Sequence, residues 1–78
     1  MPVLRLFASV RLAAGTGRTE MPGSTVGEVV DAARHLYGES FTEQLSSCGI
    51  WLNGEPAAAG DPVTDFDEVA ILPPVSGG

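Results

Sequence analysis

Lysine is absent from this 78-residue chain, and its four basic residues, all arginine, face ten acidic ones, giving a net charge of −6. Nucleic-acid binding requires a positive surface to neutralise phosphates, so this balance argues against it. It implies instead that a protein partner offers a basic docking surface. Without lysine the chain cannot build lysine-linked chains of itself. Its single cysteine excludes an internal disulfide framework and a multi-cysteine metal or iron–sulfur site. No apolar run approaches the roughly 20 residues that cross a bilayer. The opening MPVLRLFASVR lacks the basic segment and long apolar stretch of a secretory signal. These absences point to a soluble cytoplasmic protein that contacts neither membrane nor nucleic acid. With 44% hydrophobic and 18% charged residues, the chain is expected to fold as one small domain. So small a core leaves little room for a catalytic pocket, which favours a carrier, subunit or binding module.

The order of apolar residues predicts strands over Pro2 to Ala8, Arg18 to Met21, Gly49 to Leu52 and Glu68 to Leu72. In the first, Val3, Arg5 and Phe7 alternate with Leu4, Leu6 and Ala8. In the last, Val69 and Ile71 alternate with Glu68, Ala70 and Leu72. A short helical turn over Ser9 to Ala14, stopped by Gly15, is expected between the first two strands. The main helix is predicted from about Thr25 to Tyr37, with Thr25 and Glu28 forming a capping box and Gly38 ending it. Its apolar stripe is Val26, Val29, Val30, Ala33, Leu36 and Tyr37. Phe41 to Leu45 reads as a further short turn. Asn53-Gly54 is a two-residue hairpin signal, because a type I′ turn needs positive φ at both central positions. Laying the helix across a small mixed sheet, over Leu4, Leu6, Val69 and Ile71, buries its stripe most simply. Phe7 and Leu72 then share the opposite, uncovered face. This α+β domain is expected to occupy residues 1–72.

The last six residues, Pro73-Pro74-Val75-Ser76-Gly77-Gly78, are too rich in proline and glycine to pack as an element. The prolines lack amide donors and end the sheet ladder. Residues 73–78 are therefore expected to form a mobile tail that reaches roughly 20 Å when extended. Gly77 and Gly78 carry no Cβ and can thread a narrow channel. A terminal carboxylate on so slim an arm suits delivery into another protein's active site, where most chain ends merely fray.

The segments RLFASVR, TVGEVVDA, WLNGE and DEVAILPPVSGG, taken in order, resemble the small subunit of molybdopterin synthase, the MoaD-type ubiquitin-like sulfur carriers. The resemblance covers nearly the whole chain, and PPVSGG joined to a DEVA strand is its most specific part. It implies a β-grasp fold and a carrier that is not itself an enzyme. In that family an activating adenylyltransferase, related to those of ubiquitin, uses ATP to adenylate the terminal glycine. Sulfur then converts the acyl-adenylate to a thiocarboxylate, which the large synthase subunit uses to build the dithiolene on a pterin precursor. Mapped by motif, Gly78 is the residue modified and Gly77 its slim neighbour. Phe7, Leu72, Pro73, Pro74, Val75 and Ser76 fall where the family meets its partner. The resemblance implies no bound cofactor and no metal; ATP is consumed by the activating enzyme. Sulfur delivery to thiazole, cysteine or a specialised metabolite, and modification of other proteins, are alternatives that share the same tail chemistry. An interaction domain with an inert tail is a further alternative.

Two positions depart from the family pattern. Phe66 stands in Thr64-Asp65-Phe66-Asp67 where a glycine turn is common, so the turn must differ or Phe66 must be buried or serve a contact. Leu72 stands where an aromatic is frequent. Arg11 matches the family's arginine after the first strand, with its role open. Trp51 reads as a packing residue, with a partner surface as the alternative. Cys48 reads as a small buried hydrophobe, with a redox thiol or sulfur relay as the alternative, and His35 as a surface residue. Asp61, Asp65, Asp67 and Glu68 lack the spacing of a calcium loop.

Overall fold

The computed structural model describes residues 1–73. The elements run β1 (Val3–Leu6), α1 (Ala8–Ala14), β2 (Arg18–Glu20), α2 (Val26–Tyr37), α3 (Glu39–Leu45), β3 (Gly49–Leu52), β4 (Glu55–Pro56) and β5 (Glu68–Leu72). The five strands form one mixed sheet in the order β2-β1-β5-β3-β4. The chain's first and last strands, β1 and β5, are parallel at its centre, with Leu4 opposite Val69 and Leu6 opposite Ile71. All four side chains are buried under α2, which contributes Val26, Val29, Val30 and Ala33. This is the mixed-sheet α+β architecture of the β-grasp, with one face of the sheet covered by helices.

The start of α2 is held by two neighbouring segments. Thr25 Oγ1 accepts the Glu28 amide at 3.2 Å, as a capping residue should. Glu28 Oε1 reaches one residue further back than a standard capping box, accepting from the Ser24 amide at 2.8 Å. The remaining free amides, Val26 and Gly27, donate to Asp61 O and Ala59 O at 2.9 and 2.8 Å. Residues 57–63 thus strap the helix end. A Cβ on Gly27 would sit 3.0 Å from Ala59 O, which explains a glycine in a first turn where alanine would be the better helix former. Val63 buries itself in the same strap.

Several expectations are revised. β1 ends at Leu6, and Ala8 turns out of the sheet with φ 53 to open α1, so its side chain is exposed rather than aligned with Leu4 and Leu6. The turns expected over Ser9 to Ala14 and Phe41 to Leu45 are both seven-residue helices. Phe41 anchors α3 with no solvent exposure, and its ring lies 5.1 Å from that of Tyr37. Leu36, placed in the apolar stripe, is 65% exposed. The buried progression 26, 30, 33 continues to Tyr37, which leaves Leu36 pointing away from the core.

The Asn53–Gly54 turn forms as expected, with φ 50 and 87. Asn53 also ties the hairpin to β5: its Oδ1 accepts the Glu68 amide at 2.9 Å, and its Nδ2 donates to Asp67 Oδ1 at 3.0 Å. In the turn before β5, the Asp67 amide donates to Thr64 O and Asp67 Oδ2 accepts the Thr64 amide at 2.7 Å. This turn needs no positive φ at Phe66, and the ring projects into solvent with 96% exposure.

Phe41→Ala is expected to destabilise the fold by about 3–5 kcal/mol, as for truncation of a fully buried aromatic. Phe66→Ala should change stability by less than about 0.5 kcal/mol. Urea denaturation of both variants checks the contrast. Hydrogen bonds from Asn53 and Thr64 hold the Asp67 carboxyl below its ordinary value of 3.8. As pH falls, the unfolded chain therefore takes up this proton first. The stability that Asp67 contributes is complete above the ordinary carboxylate value and is lost as pH drops through it to the lowered one. Thermal unfolding between about pH 6 and pH 3 should show a shallower acid decline for Asp67→Asn than for the wild type.

Candidate functional site

The candidate site lies on the face of the sheet that no helix covers. Alternation along β1 puts Val3 and Arg5 there, and Phe7 continues the series because its backbone is still extended, with φ −132 and ψ 154. β5 contributes Ala70 and Leu72. One step beyond the Leu6–Ile71 pair, the parallel register brings Phe7 alongside Leu72. Both are half-buried, as is Pro73, which follows Leu72 outside the ladder. Phe7 and Leu72 therefore share the uncovered face, as the alternation predicts. Pro74, Val75, Ser76, Gly77 and Gly78 lie outside the described residues.

Trp51 joins this face. Its register partners are Ala70 on β5 and Pro56 on β4. A Cβ on Gly49 would meet the indole Nε1 at 3.4 Å, so the ring leans along the strand toward the position opposite Leu72. The result is a half-exposed apolar surface of Phe7, Leu72, Ala70 and Trp51, centred on the end of β5. The sequence left the role of Trp51 open because register, not composition, decides its neighbours. Beside this surface the Arg5 guanidinium lies 5.5 Å from the Phe7 ring centroid, and its Nη1 meets Glu68 Oε1 at 3.4 Å. The cation fixes one side of the phenyl ring while keeping its own charge toward water.

The other candidates stay apart from this surface. Cys48 Sγ donates to Gln44 O at 3.1 Å, and burial pushes its thiol up, which disfavours a reactive thiolate. His35 is exposed, with Nδ1 at 2.9 Å from Asp31 O. Asp61 and Asp67 accept from backbone amides of their own turns, and Asp65 pairs with the N-terminal ammonium at 2.9 Å. Among the described residues no group of three or more metal-ligating side chains gathers, and no helix is long and apolar enough to cross a membrane.

Residues 4–78 match the model of the ThiS family. Small archaeal modifier protein 1 from Haloferax volcanii is 35% identical, over 95% of this chain and 97% of its own. The solution structure of small archaeal modifier protein 1 from Methanosarcina acetivorans superposes with a TM-score of 0.86 at 29% identity, covering 97% and 94% of the two chains. A complex of subunits 1 and 2 of the molybdopterin-converting factor from Helicobacter pylori contains a chain that matches with a TM-score of 0.74 at 25% identity, covering 97% and 96%. Relatives of this fold thus include a component of a two-protein complex.

Phe7→Ala and Leu72→Ala are expected to weaken partner binding more than folding, because both side chains are half-exposed. Isothermal titration against a partner that takes the tail, beside thermal melts, separates the two. A large fall in Tm with unchanged affinity would assign both side chains to the core instead.

Proposed function

This chain belongs to the ThiS family of ubiquitin-like sulfur carriers and modifiers, and on that premise we propose that it carries sulfur on the carboxylate of Gly78. The observation that carries this reading is the placement of β5. The central strand ends beside Phe7 on the uncovered face, and the sequence Pro73-Pro74-Val75-Ser76-Gly77-Gly78 continues directly from it. A partner seated on Phe7, Leu72 and Trp51 would hold the domain where the following residues can enter its active site.

The chemistry follows from the carboxylate. It is a poor electrophile, so an oxygen of Gly78 attacks the α-phosphorus of ATP on an activating adenylyltransferase, and pyrophosphate leaves. Hydrosulfide released by the sulfur donor then attacks the acyl carbon, AMP departs with the bonding pair, and the S–H proton passes to solvent, leaving a thiocarboxylate. Its sulfur is the better nucleophile and attacks the pterin precursor in the large subunit of a molybdopterin synthase. Gly77 keeps the approach narrow, and lysine or arginine groups for the transfer come from the partner. The carrier supplies position and a sulfur atom, holds no cofactor and is not itself the catalyst.

One observation favours a second reading. A relative 35% identical is named a modifier protein, and the same acyl-adenylate, passed to a lysine amine of another protein, would give an isopeptide bond. With no lysine of its own, the chain would be a modifier that does not extend itself.

Intact mass measured after incubation with the cognate activating enzyme, ATP and a sulfur donor should show exchange of one oxygen for sulfur at Gly78. A chain that a competent activating enzyme leaves unchanged would refute the carrier reading. Covalent higher-mass adducts in the same mixture supplemented with cell extract would select modification instead.

A further inference from the structure

Three of the four arginines converge on one shallow groove. It is lined by Arg5, Leu6, Phe7, Arg11, Gly17 and Arg18, with Thr16 at its rim, and has a volume of about 320 Å³. Arg5 and Arg18 sit directly opposite each other on β1 and β2. Like charges in that relation destabilise a strand pair, so local stability does not account for them. Arg11 lies over Gly17, where a Cβ would come within 3.0 Å of its Nε. The other arginine, Arg34, pairs with Asp31 at 3.0 Å, and Arg5 has Glu68 at 3.4 Å. Among the described residues neither Arg11 nor Arg18 forms a salt bridge, in a chain where acids outnumber bases ten to four.

The groove shares Phe7 with the apolar surface. The charges are sorted along the strands. Glu20, opposite Val3, and Glu68 occupy the end where the Asp65–Asp67 turn lies. The arginines begin at Arg5, opposite Ala70 in the middle of β5 and paired with Glu68, and the groove runs from there toward the end where β5 finishes. A negatively charged molecule therefore presents a positive local surface next to the point from which its last residues depart.

From this we infer that the protein partner receiving the tail docks acidic side chains into the Arg5–Arg11–Arg18 groove, so that the docking contact is opposite in sign to the one the net charge implies. The inference rests on the carrier reading for which partner is meant, since whatever covers Phe7 and Leu72 must also face the groove. Complementary charge at that contact would set orientation and association rate, while the −6 of the whole chain would repel an acidic body approaching from any other side. The groove lies at the lower end of ligand-pocket volumes, which suits one or two carboxylate side chains.

The test has two arms on the full chain. In the first, tetraglutamate is titrated into isotope-labelled protein at low salt, followed by NMR. It should shift the amides of Arg5, Gly17 and Arg18. Arg18→Gln should weaken the response at least about fivefold, whereas Arg34→Gln, with the same change in net charge, should leave it intact. Equal loss in both variants, or no shift at these amides, overturns the inference. So does an equal response to inorganic phosphate, which would make the groove a general oxyanion site. In the second arm, association with the cognate activating enzyme is timed. Arg18→Glu should slow it about tenfold and Arg34→Glu should not. Faster association of Arg18→Glu would mean a basic contact and overturns the inference, as does a self-dimer that Arg18→Glu dissociates. If the wild type gains no sulfur yet still takes tetraglutamate, the carrier reading fails and the groove stands. Thiocarboxylate formation without any effect of Arg18→Glu overturns the groove alone.

Discussion

β1 and β5 come from opposite ends of the sequence and lie parallel at the centre of the sheet, where Leu4, Leu6, Val69 and Ile71 form the floor on which α2 rests. Every other feature depends on this pairing. Parallel strands have no direct hairpin solution, so the intervening chain must cross over the sheet, and α2 does so with its apolar stripe inward. The pairing covers one face and leaves the other open. It also fixes that β5, an interior strand, finishes beside the end of β1. A slip of one residue would exchange Leu72 with Ile71 and carry Phe7 away from its neighbour.

The open face joins two kinds of chemistry. Phe7, Leu72 and Trp51 supply apolar area whose burial by a partner is favourable at about 25 cal/mol per Å². Arg5, Arg11 and Arg18 supply charge along its margin. Trp51 and the arginines come from different strands and from α1, so none of them makes this surface alone. The helix-covered side, by contrast, is packed by Phe41 and by the strap at the start of α2.

How much could be read from residues alone follows from the range of the interactions. The Thr25 cap of α2, the Gly15 and Gly38 stops and the Asn53–Gly54 turn are set by neighbours within four residues, and they formed where the pattern placed them, whereas the remaining amides of the helix start needed the distant strap. The placement of Phe7 and Leu72 on one face also followed from period-two alternation. The length of α3 did not. ESFTEQL has weak helical character by itself, and the burial of Phe41 and Leu45 against α2 and α1 stabilises it. The exposure of Leu36 was equally hidden, because the stripe allows either Leu36 or Tyr37 inward and contact with Phe41 decides for Tyr37.

The sequence by itself determined the short-range devices and the composition: helices and strands of an α+β fold, an acidic chain without lysine, and a proline–glycine segment after a strand. These depend on backbone conformation and charge count, which need no partner at a distance. Only the tertiary structure decided which side chains meet across strands. It put Trp51 beside the end of β5, left Phe66 in solvent, and gathered Arg5, Arg11 and Arg18 into one groove within a negative molecule. Such neighbours are set by sheet order and register, and those emerge only when residues more than sixty positions apart pair.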